Sequence, residues 1–346
     1  ISPDGNRVLL AGKSYTRAYE YVSNDNWEKV GDDIPVGLGE SPLEVQFDST
    51  SSKISIYSYD VGTLYVYDSP IPLNDTALTN VNDSTVGIGI DGVLTQSSYF
   101  TTVSLDELKS ISIGTDVTSI ASGAFYADAG NNSLVSVYIP DTVTTIGSNA
   151  FRGCFRLASF NIPNSVTTIG DFAFNGVYDN VSLTIPDSVT SIGNYAFGTQ
   201  FYLETLIIGN GLTVIPEGAF AQCKNVTSLT IGTSVTSIGK EAFEQLTALQ
   251  SLTIPDSVTT IGEKAFYFAS NLRSLTIGTG VTSIGTSAFE ACLALPSVTI
   301  PDNVITIGNN AFSQCNQLTD LTIGTGVTSI GDSAFASCGG LQSVTI

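Results

Sequence analysis

The chain has 346 residues, room for two or three domains, and carries a formal net charge of −20 from 32 Asp and Glu against 12 Lys and Arg. That balance excludes an electrostatic grip on nucleic-acid phosphates and adsorption to anionic lipid, and no apolar run is long enough to cross a bilayer. Histidine is absent, as are C-x-x-C pairs, a phosphate loop and a G-x-S-x-G elbow, so the residues point to no enzyme, no cofactor and no metal site.

With no methionine, an opening Ile1 that reads as mid-repeat and a final Ile346 in an unfinished repeat, the chain is expected to be a fragment of a longer protein. Residues 1–68 repeat with an offset of 46: Asn6-Arg-Val-Leu-Leu10 aligns with Ser52-Lys-Ile-Ser-Ile56, and Arg17-Ala-Tyr-Glu-Tyr21 with Thr63-Leu-Tyr-Val-Tyr67. Both are β-type runs introduced by turn clusters such as Ser2-Pro-Asp-Gly5. The pattern resembles propeller-like repeats of extracellular proteins, which implies a small all-β, propeller-like segment of about one and a half blades. Trp27 reads either as blade core or as a ligand platform. Residues 69–85, with Pro70, Pro72, Asn74 and Asp75, read as a polar linker. Residues 86–107 are a degenerate stretch in the place where a solenoid needs a cap.

From residue 108 to 346 a unit of 23 residues recurs ten times, followed by a truncated eleventh. The isoleucine closing its first apolar stretch stands at 113, 139, 162, 185, 208, 231, 254, 277, 300, 323 and 346. Only the first interval is longer, through an insertion around Asp128–Asn132. In Leu249–Asn271, alternation puts Leu252 and Ile254 inside a strand and Ser251 and Thr253 outside. A Pro255-Asp-Ser turn follows, then a second short strand Val258-Thr-Thr-Ile261 ended by Gly262, and then Ala265-Phe266 on an expected helical or 3-10 turn. Phenylalanine recurs after alanine from Phe125 to Phe335, which predicts a stacked internal column. One unit has too few apolar side chains to offset the ordering of its own backbone, so units must stack.

The motif L-x-S-L-T-I-P-D-S-V-T-S-I-G-x-x-A-F-x-x-C resembles the leucine-rich repeats of the BspA-like, or Treponema pallidum, type. The resemblance implies a β-rich solenoid, a right-handed superhelix with a parallel sheet on one face, and a family of surface-exposed adhesins and host-interaction proteins. An asparagine ladder is missing: Ser188, Ser234, Ser257, Gly280 and Gly326 stand near its place. The turn carbonyls must therefore find other partners.

All five cysteines, Cys154, Cys223, Cys292, Cys315 and Cys338, share one repeat position, where Val177, Leu246 or Ala269 stands in other copies. They read as reduced core residues. Asp141, Asp187, Asp256 and Asp302, in Pro-Asp turns alternating with Gly-Thr, read as turn caps, with calcium ligation as the competing reading.

Two candidate ligand surfaces emerge. The first strands present uniform hydroxyl columns, represented by Ser251, Thr253, Ser274 and Thr276, with Tyr138 in the threonine column. Such an array suits an exposed sheet with cross-strand bonds; the competing reading is an ordered surface for sugars or for ice, the latter opposed by the curvature of a horseshoe. Variation between copies marks the second surface: Phe155, Tyr178 and Phe201 in one column, Phe172 and Tyr195 in another, and Tyr202 beside them. These aromatics either contact a partner or pack on the N-terminal part. The reading is a non-catalytic scaffold at the cell surface or outside the cell that binds a protein partner. Carbohydrate or ice binding through the Ser/Thr ladders, or a purely structural spacer, are the alternatives. Asn74, Asn82, Asn131, Asn180 and Asn225 stand in N-x-S/T sequons.

Overall fold

The computed structural model describes residues 113, 117–126 and 133–346 in full, together with Ile111 and the backbones of strands lying between Arg7 and Ser112. The chain forms two compact units, one of residues 1–120, 131–143 and 159–161, the other of residues 121–130, 144–158 and 162–346.

In the first unit, Tyr15–Ser23 pairs antiparallel with both Arg7–Ala11 and Asn26–Lys29, and Lys53–Ser58 pairs antiparallel with Leu43–Phe47 and Thr63–Asp68. The propeller reading, Trp27 as a platform and most of the cap assigned to 86–107 lie outside the described residues. Ala77–Asn80, within the stretch read as a linker, forms a strand antiparallel to Leu108–Ser112. Leu108–Ser112 in turn runs parallel to Ser136–Tyr138, which pairs with Ser159–Phe160.

The second unit is a parallel β-solenoid. Each coil contributes a first strand such as Ser251–Thr253 and a two-residue second strand such as Thr260–Ile261. Both pair in parallel with their counterparts 23 residues on, Thr253 with Thr276 and Ile261 with Ile284. Alternation sorts the side chains as the pattern requires: Leu252 and Ile254 are buried and Ser251 and Thr253 exposed. Nine phenylalanines from Phe125 to Phe312 are fully buried. Their rings stack near face to face, for example Phe243 on Phe266 at 5.2 Å and 10° and Phe266 on Phe289 at 5.3 Å and 4°. The offset-stacked geometry suits the ring quadrupoles.

The expected helical or 3-10 turn around Ala-Phe is not there; among the described residues there is no helix. Backbone accounting explains why. Ala265 N, Tyr267 N and Ala269 N donate within the coil to Gly262 O, Lys264 O and Phe266 O at 3.0–3.3 Å. The alternate residues Lys264, Phe266 and Phe268 donate instead to Thr286 O, Ala288 O and Glu290 O of the next coil at 2.8–2.9 Å. A helix would consume those N–H groups internally and leave the coils unjoined. The alternation requires two left-handed residues per coil, Lys264 (φ 54°) and Phe268 (φ 60°) here, and Glu241 and Gln245 in the preceding coil. Few of these positions are glycine, which hid the turn from propensity reasoning.

A column of threonines adds side-chain bonds between coils, onto carbonyls that already accept the same threonines' N–H groups. Thr236 Oγ1 donates to Thr213 O, Thr259 Oγ1 to Thr236 O and Thr282 Oγ1 to Thr259 O, at 3.0–3.1 Å. Gly285 is one of the close approaches of two coils: a Cβ there would lie 2.6 Å from the carbonyl carbon of Gly262 and 2.8 Å from Glu263 N.

The sheet of first strands is not continuous. Ser182–Ile185, Thr205–Ile208 and Ser228–Thr230 form one group, Ser251–Thr253 and Ser274–Thr276 a second, and Ser297–Ile300, Asp320–Ile323 and Ser343–Thr345 a third. These two interruptions fall where a Gly coil precedes a Pro coil, at Gly232 before Pro255 and at Gly278 before Pro301, but that order does not by itself open the sheet: Leu108–Ser112 pairs with Ser136–Tyr138 across the same step, Gly114 before Pro140. Where a Gly coil follows a Pro coil, Gly209 N donates to Ile185 O at 2.9 Å. Pro255 and Pro301 have no N–H for that bond, but Gly278 and Gly324 do not make it either while their strands still pair, so the missing N–H is not the cause of the breaks. The leucines facing the gaps, Leu229 and Leu275, are only half-buried, whereas Leu206 and Leu252 are fully buried.

Two substitutions test this backbone scheme by chemical denaturation. Gln245→Gly, which relieves a left-handed residue (φ 62°), is expected to leave stability unchanged or raise it by up to about 1 kcal/mol, the strain of roughly 1–2 kcal/mol being partly offset by glycine's entropy. Gly285→Ala is expected to destabilise by at least about 1–3 kcal/mol through overpacking.

Candidate functional site

The aromatic residues of the second to fourth copies come together as two ladders. In one, Phe155 stacks on Tyr178 at 4.6 Å and 19°, and Tyr178 on Phe201 at 4.6 Å and 36°. In the other, Phe172 stacks on Tyr195 at 5.3 Å and 7°. All five are half-buried, because each ring covers its neighbour's face. Tyr202 stands out at 57% exposure.

Cations cap both ladders. The Arg152 guanidinium lies 4.9 Å from the Phe172 ring centroid and 5.9 Å from that of Tyr126, and Lys224 Nζ lies 5.9 Å from that of Phe201. At the other end of the Phe172–Tyr195 ladder, the Tyr195 hydroxyl donates to Glu241 Oε2 at 3.1 Å, with Glu217 Oε1 at 3.4 Å. Burial, followed by the two carboxylates, pushes that phenol up to about 12. Lys240 Nζ sits 3.7 Å from a carboxylate oxygen of each glutamate. The result is an amphipathic strip with cations at its rims and a carboxylate pair at one end. Sequence reasoning missed Arg152, Lys224, Glu217 and Glu241. Their signal was present in the 23-residue frame, which places Arg152 one residue after its Phe and one coil before Phe172.

On the sheet of first strands Ser251 faces Ser274 and Thr253 faces Thr276, all four exposed. Tyr138, at 57% exposure, lies on the outer face of Ser136–Tyr138 in the first unit.

The Pro-Asp and Gly-Thr alternation is a hydrogen-bonded pairing between coils. Asp256 Oδ1 accepts from Thr279 N at 2.7 Å and from its hydroxyl at 3.0 Å; Asp302 does the same with Thr325 at 2.8 and 3.2 Å. Asp187 Oδ1 accepts from Asn210 N at 2.6 Å, and Asn210 Oδ1 from Thr233 N at 2.8 Å. Those bonds hold the Asp256 carboxyl below the usual range, the backbone donor first. Among the described residues no three His, Cys, Asp or Glu side chains gather as metal ligands.

All five cysteines are free thiols, four buried and Cys338 half-buried. Each Sγ donates to a phenylalanine carbonyl in the preceding coil, from Cys154 to Phe125 O at 3.2 Å to Cys292 to Phe266 O at 3.8 Å. Burial pushes the Cys223 and Cys292 thiols up to about 12, which makes them inert packing residues. Of the sequons, Asn180 is buried and closed to a glycan in the folded chain, whereas Asn225 is exposed with Nδ2 donating to Phe201 O at 2.8 Å.

Short parallel strands stacked at a fixed 23-residue register, an internal phenylalanine column and variable turn residues define a solenoid of the leucine-rich-repeat class. The chain belongs to the BspA-type leucine-rich repeat family, whose family model matches residues 118–249 and 236–346. Among solved structures it is similar to a leucine-rich repeat protein from Bacteroides ovatus (23% identity, 89% of this chain and 94% of that one, TM-score 0.41). It is also similar to a leucine-rich cell surface protein from Faecalibacterium prausnitzii (25%, 88% and 95%, 0.39) and to the pneumococcal vaccine antigen PcpA (16%, 97% and 87%, 0.45). These TM-scores all lie below 0.5, so the family model and the chain's own repeats carry the assignment. No curated protein matches the chain.

Two outcomes test the local chemistry. Asp256, with a lowered folded-state value, contributes stability that is present above its unfolded value and lost as pH falls through the lower folded one. On acidification from about pH 5 to pH 3 the thermal midpoint of wild type should therefore fall more steeply than that of Asp256→Asn, in which the amide oxygen keeps the bond without titrating. At Gly218 (φ 60°) an added Cβ would collide with the Tyr195 ring. Gly218→Ala should accordingly unstack Tyr195 from Phe172, read as altered ring-current shifts of both rings by NMR.

Proposed function

We propose that this repeat scaffold is a non-catalytic interaction module displayed at a cell surface or outside the cell, and that it docks a protein partner on the aromatic ladders of its second to fourth copies. The observation that carries the reading is the confinement of two half-exposed, cation-capped aromatic ladders to a few consecutive coils of the solenoid. The repeat geometry accounts for the buried Phe column in every coil, but it does not demand Phe172, Tyr195, Phe155, Tyr178 or Phe201. In the later coils those columns hold Glu241, Lys264, Lys224, Thr247 and Ser270, and the coils stack as well without the rings.

A strip of rigid aromatic faces rimmed by arginine and lysine has the composition of interface hot spots, where large contact area comes with little rotamer entropy to lose. The formal charge of −20 makes a partner with a basic or neutral face the better match, with Glu217 and Glu241 beside the strip as its acidic rim. Surface display is the setting that the family resemblance implies.

The full chain, immobilised, is tested against a panel of purified extracellular and matrix proteins by interferometry. Tyr202→Ala and the double variant Phe172→Ala/Tyr195→Ala should each weaken a bound partner by at least about tenfold, with the urea midpoint followed in parallel to separate docking from folding. Binding unchanged in both variants would remove the aromatic strip from the function.

A further inference from the structure

The interruption between Ser274–Thr276 and Ser297–Ile300 is more than a gap in a ladder. Between the coils that carry Leu275 and Thr299, main-chain bonding closes on both sides: Ala294 N donates to Ser270 O at 3.2 Å and Ile305 N to Thr282 O at 2.8 Å. Inside those limits the bonds that flank a paired step are missing. Ser274 N reaches Gln250 O at 3.1 Å and Ile254 N reaches Thr276 O at 2.9 Å, but Ser297 N does not reach Arg273 O and Ile277 N does not reach Thr299 O. A lens-shaped seam results. It opens into a depression of about 690 Å³ lined by Leu275, Thr276, Thr299, Pro301, Asp302 and Asn303 among others, within the size range of small-ligand sites.

The lining is chemically specific. Thr276 and Thr299 present hydroxyls that have no protein partner among the described residues. Asp302 uses Oδ1 for Thr325, leaving Oδ2, and Asn303 uses Nδ2 for Thr279 O at 2.6 Å, leaving Oδ1. Half-buried Leu275 and Pro301 supply apolar surface on either side of the gap. Alternating hydroxyl partners with apolar patches between them match a pyranose ring, which has polar edges and an apolar face. The aspartate and the net negative charge exclude anionic sugars.

A peptide strand does not fit the same opening. Insertion needs neighbours about 9.6 Å apart, twice the strand spacing, and Cα atoms of the two strands still approach within 8 Å. The seam recurs two coils earlier with Leu229, Thr230, Thr253, Pro255 and Asp256 on its borders. The axial offset is about 10 Å, so successive seams can meet successive parts of one extended chain of sugars.

We propose that the seam between Leu275 and Asn303 binds a neutral oligosaccharide, with the seam two coils earlier as its continuation. This site is separate from the aromatic strip. The test is calorimetric titration of the full chain with neutral di- to hexasaccharides of glucose, mannose and N-acetylglucosamine, alongside oligogalacturonates as the anionic series and a short extended Ser/Thr peptide. One neutral series should bind, and Thr299→Val with Asp302→Asn should weaken it at least tenfold. The asparagine keeps the bond to Thr325, as Asn210 does with Thr233 at 2.8 Å. Thr322→Val, on a strand with closed pairing, and Phe172→Ala/Tyr195→Ala should leave it unchanged, so a failure here and a failure of the aromatic strip are read separately. The proposal is overturned if no neutral saccharide binds, if the anionic series or the peptide binds in its place, or if Thr322→Val costs as much as the seam variant.

Discussion

The structure depends on one constraint: each coil must close in 23 residues so that alternate N–H groups of its Phe turn meet carbonyls of the next coil. Lys264, Phe266 and Phe268 hand their protons forward while Ala265, Tyr267 and Ala269 hand theirs back. This division of labour does for the solenoid what a closed barrel does for a sheet, leaving few unpaired groups along its length. It also forces the column order. An alanine beside Phe keeps the coils close, a glycine such as Gly285 allows backbones to touch, and a left-handed residue stands on either side.

Strain in this molecule is for that reason a poor guide to function. Phe172 and Tyr195 both have φ near 55°, which on an isolated residue invites a functional reading. Their counterparts Glu241, Lys264, Ser287 and Asn310 adopt the same conformation, so the turn imposes it on whatever residue stands there. What the turn leaves free is side-chain identity. The ladder of aromatic faces exists because the fold holds these columns about one coil spacing apart and does not specify their content.

The sequence made the period, the strand alternation, the phenylalanine column and the buried thiols legible, because each is a one-residue property repeated in phase. Ile254 and Leu252 alternate with Ser251 and Thr253, and no other register buries them. The turn was not legible. Its left-handed positions are occupied by Gln, Glu, Lys and Phe, whose propensities say nothing of positive φ, and its hydrogen bonds run to residues about 20 positions away. The candidate site was half legible: variation between copies exposed the aromatics, but their caps lie on different coils, and a cation over a ring is a relation between columns that no single repeat displays. The Pro-Asp and Gly-Thr alternation was visible as a double period, yet its meaning, an acceptor on one coil and a donor on the next, needed Asp256 and Thr279 side by side.

One further departure from uniformity lies in the core beneath the aromatic coils. Gln200 occupies the column that elsewhere holds Cys, Val, Leu or Ala, and it is fully buried, with Asn180 Nδ2 3.5 Å from its Oε1. Its Nε2 has no hydrogen-bond partner among the described residues, so the pair is less favourable than the apolar residue found there in other coils. A thiol at this place donates to a phenylalanine carbonyl, and a valine asks for nothing; an amide asks for more than the coil supplies. A buried polar group with one strong geometric demand is tolerated where it fixes which neighbour it meets. Here it ties the coil of Tyr178 to that of Phe201, the two rings whose tilt of 36° is the least regular contact in the aromatic ladders. The cost in core stability and the irregularity of the surface thus fall on the same pair of coils, and neither is a demand of the repeat.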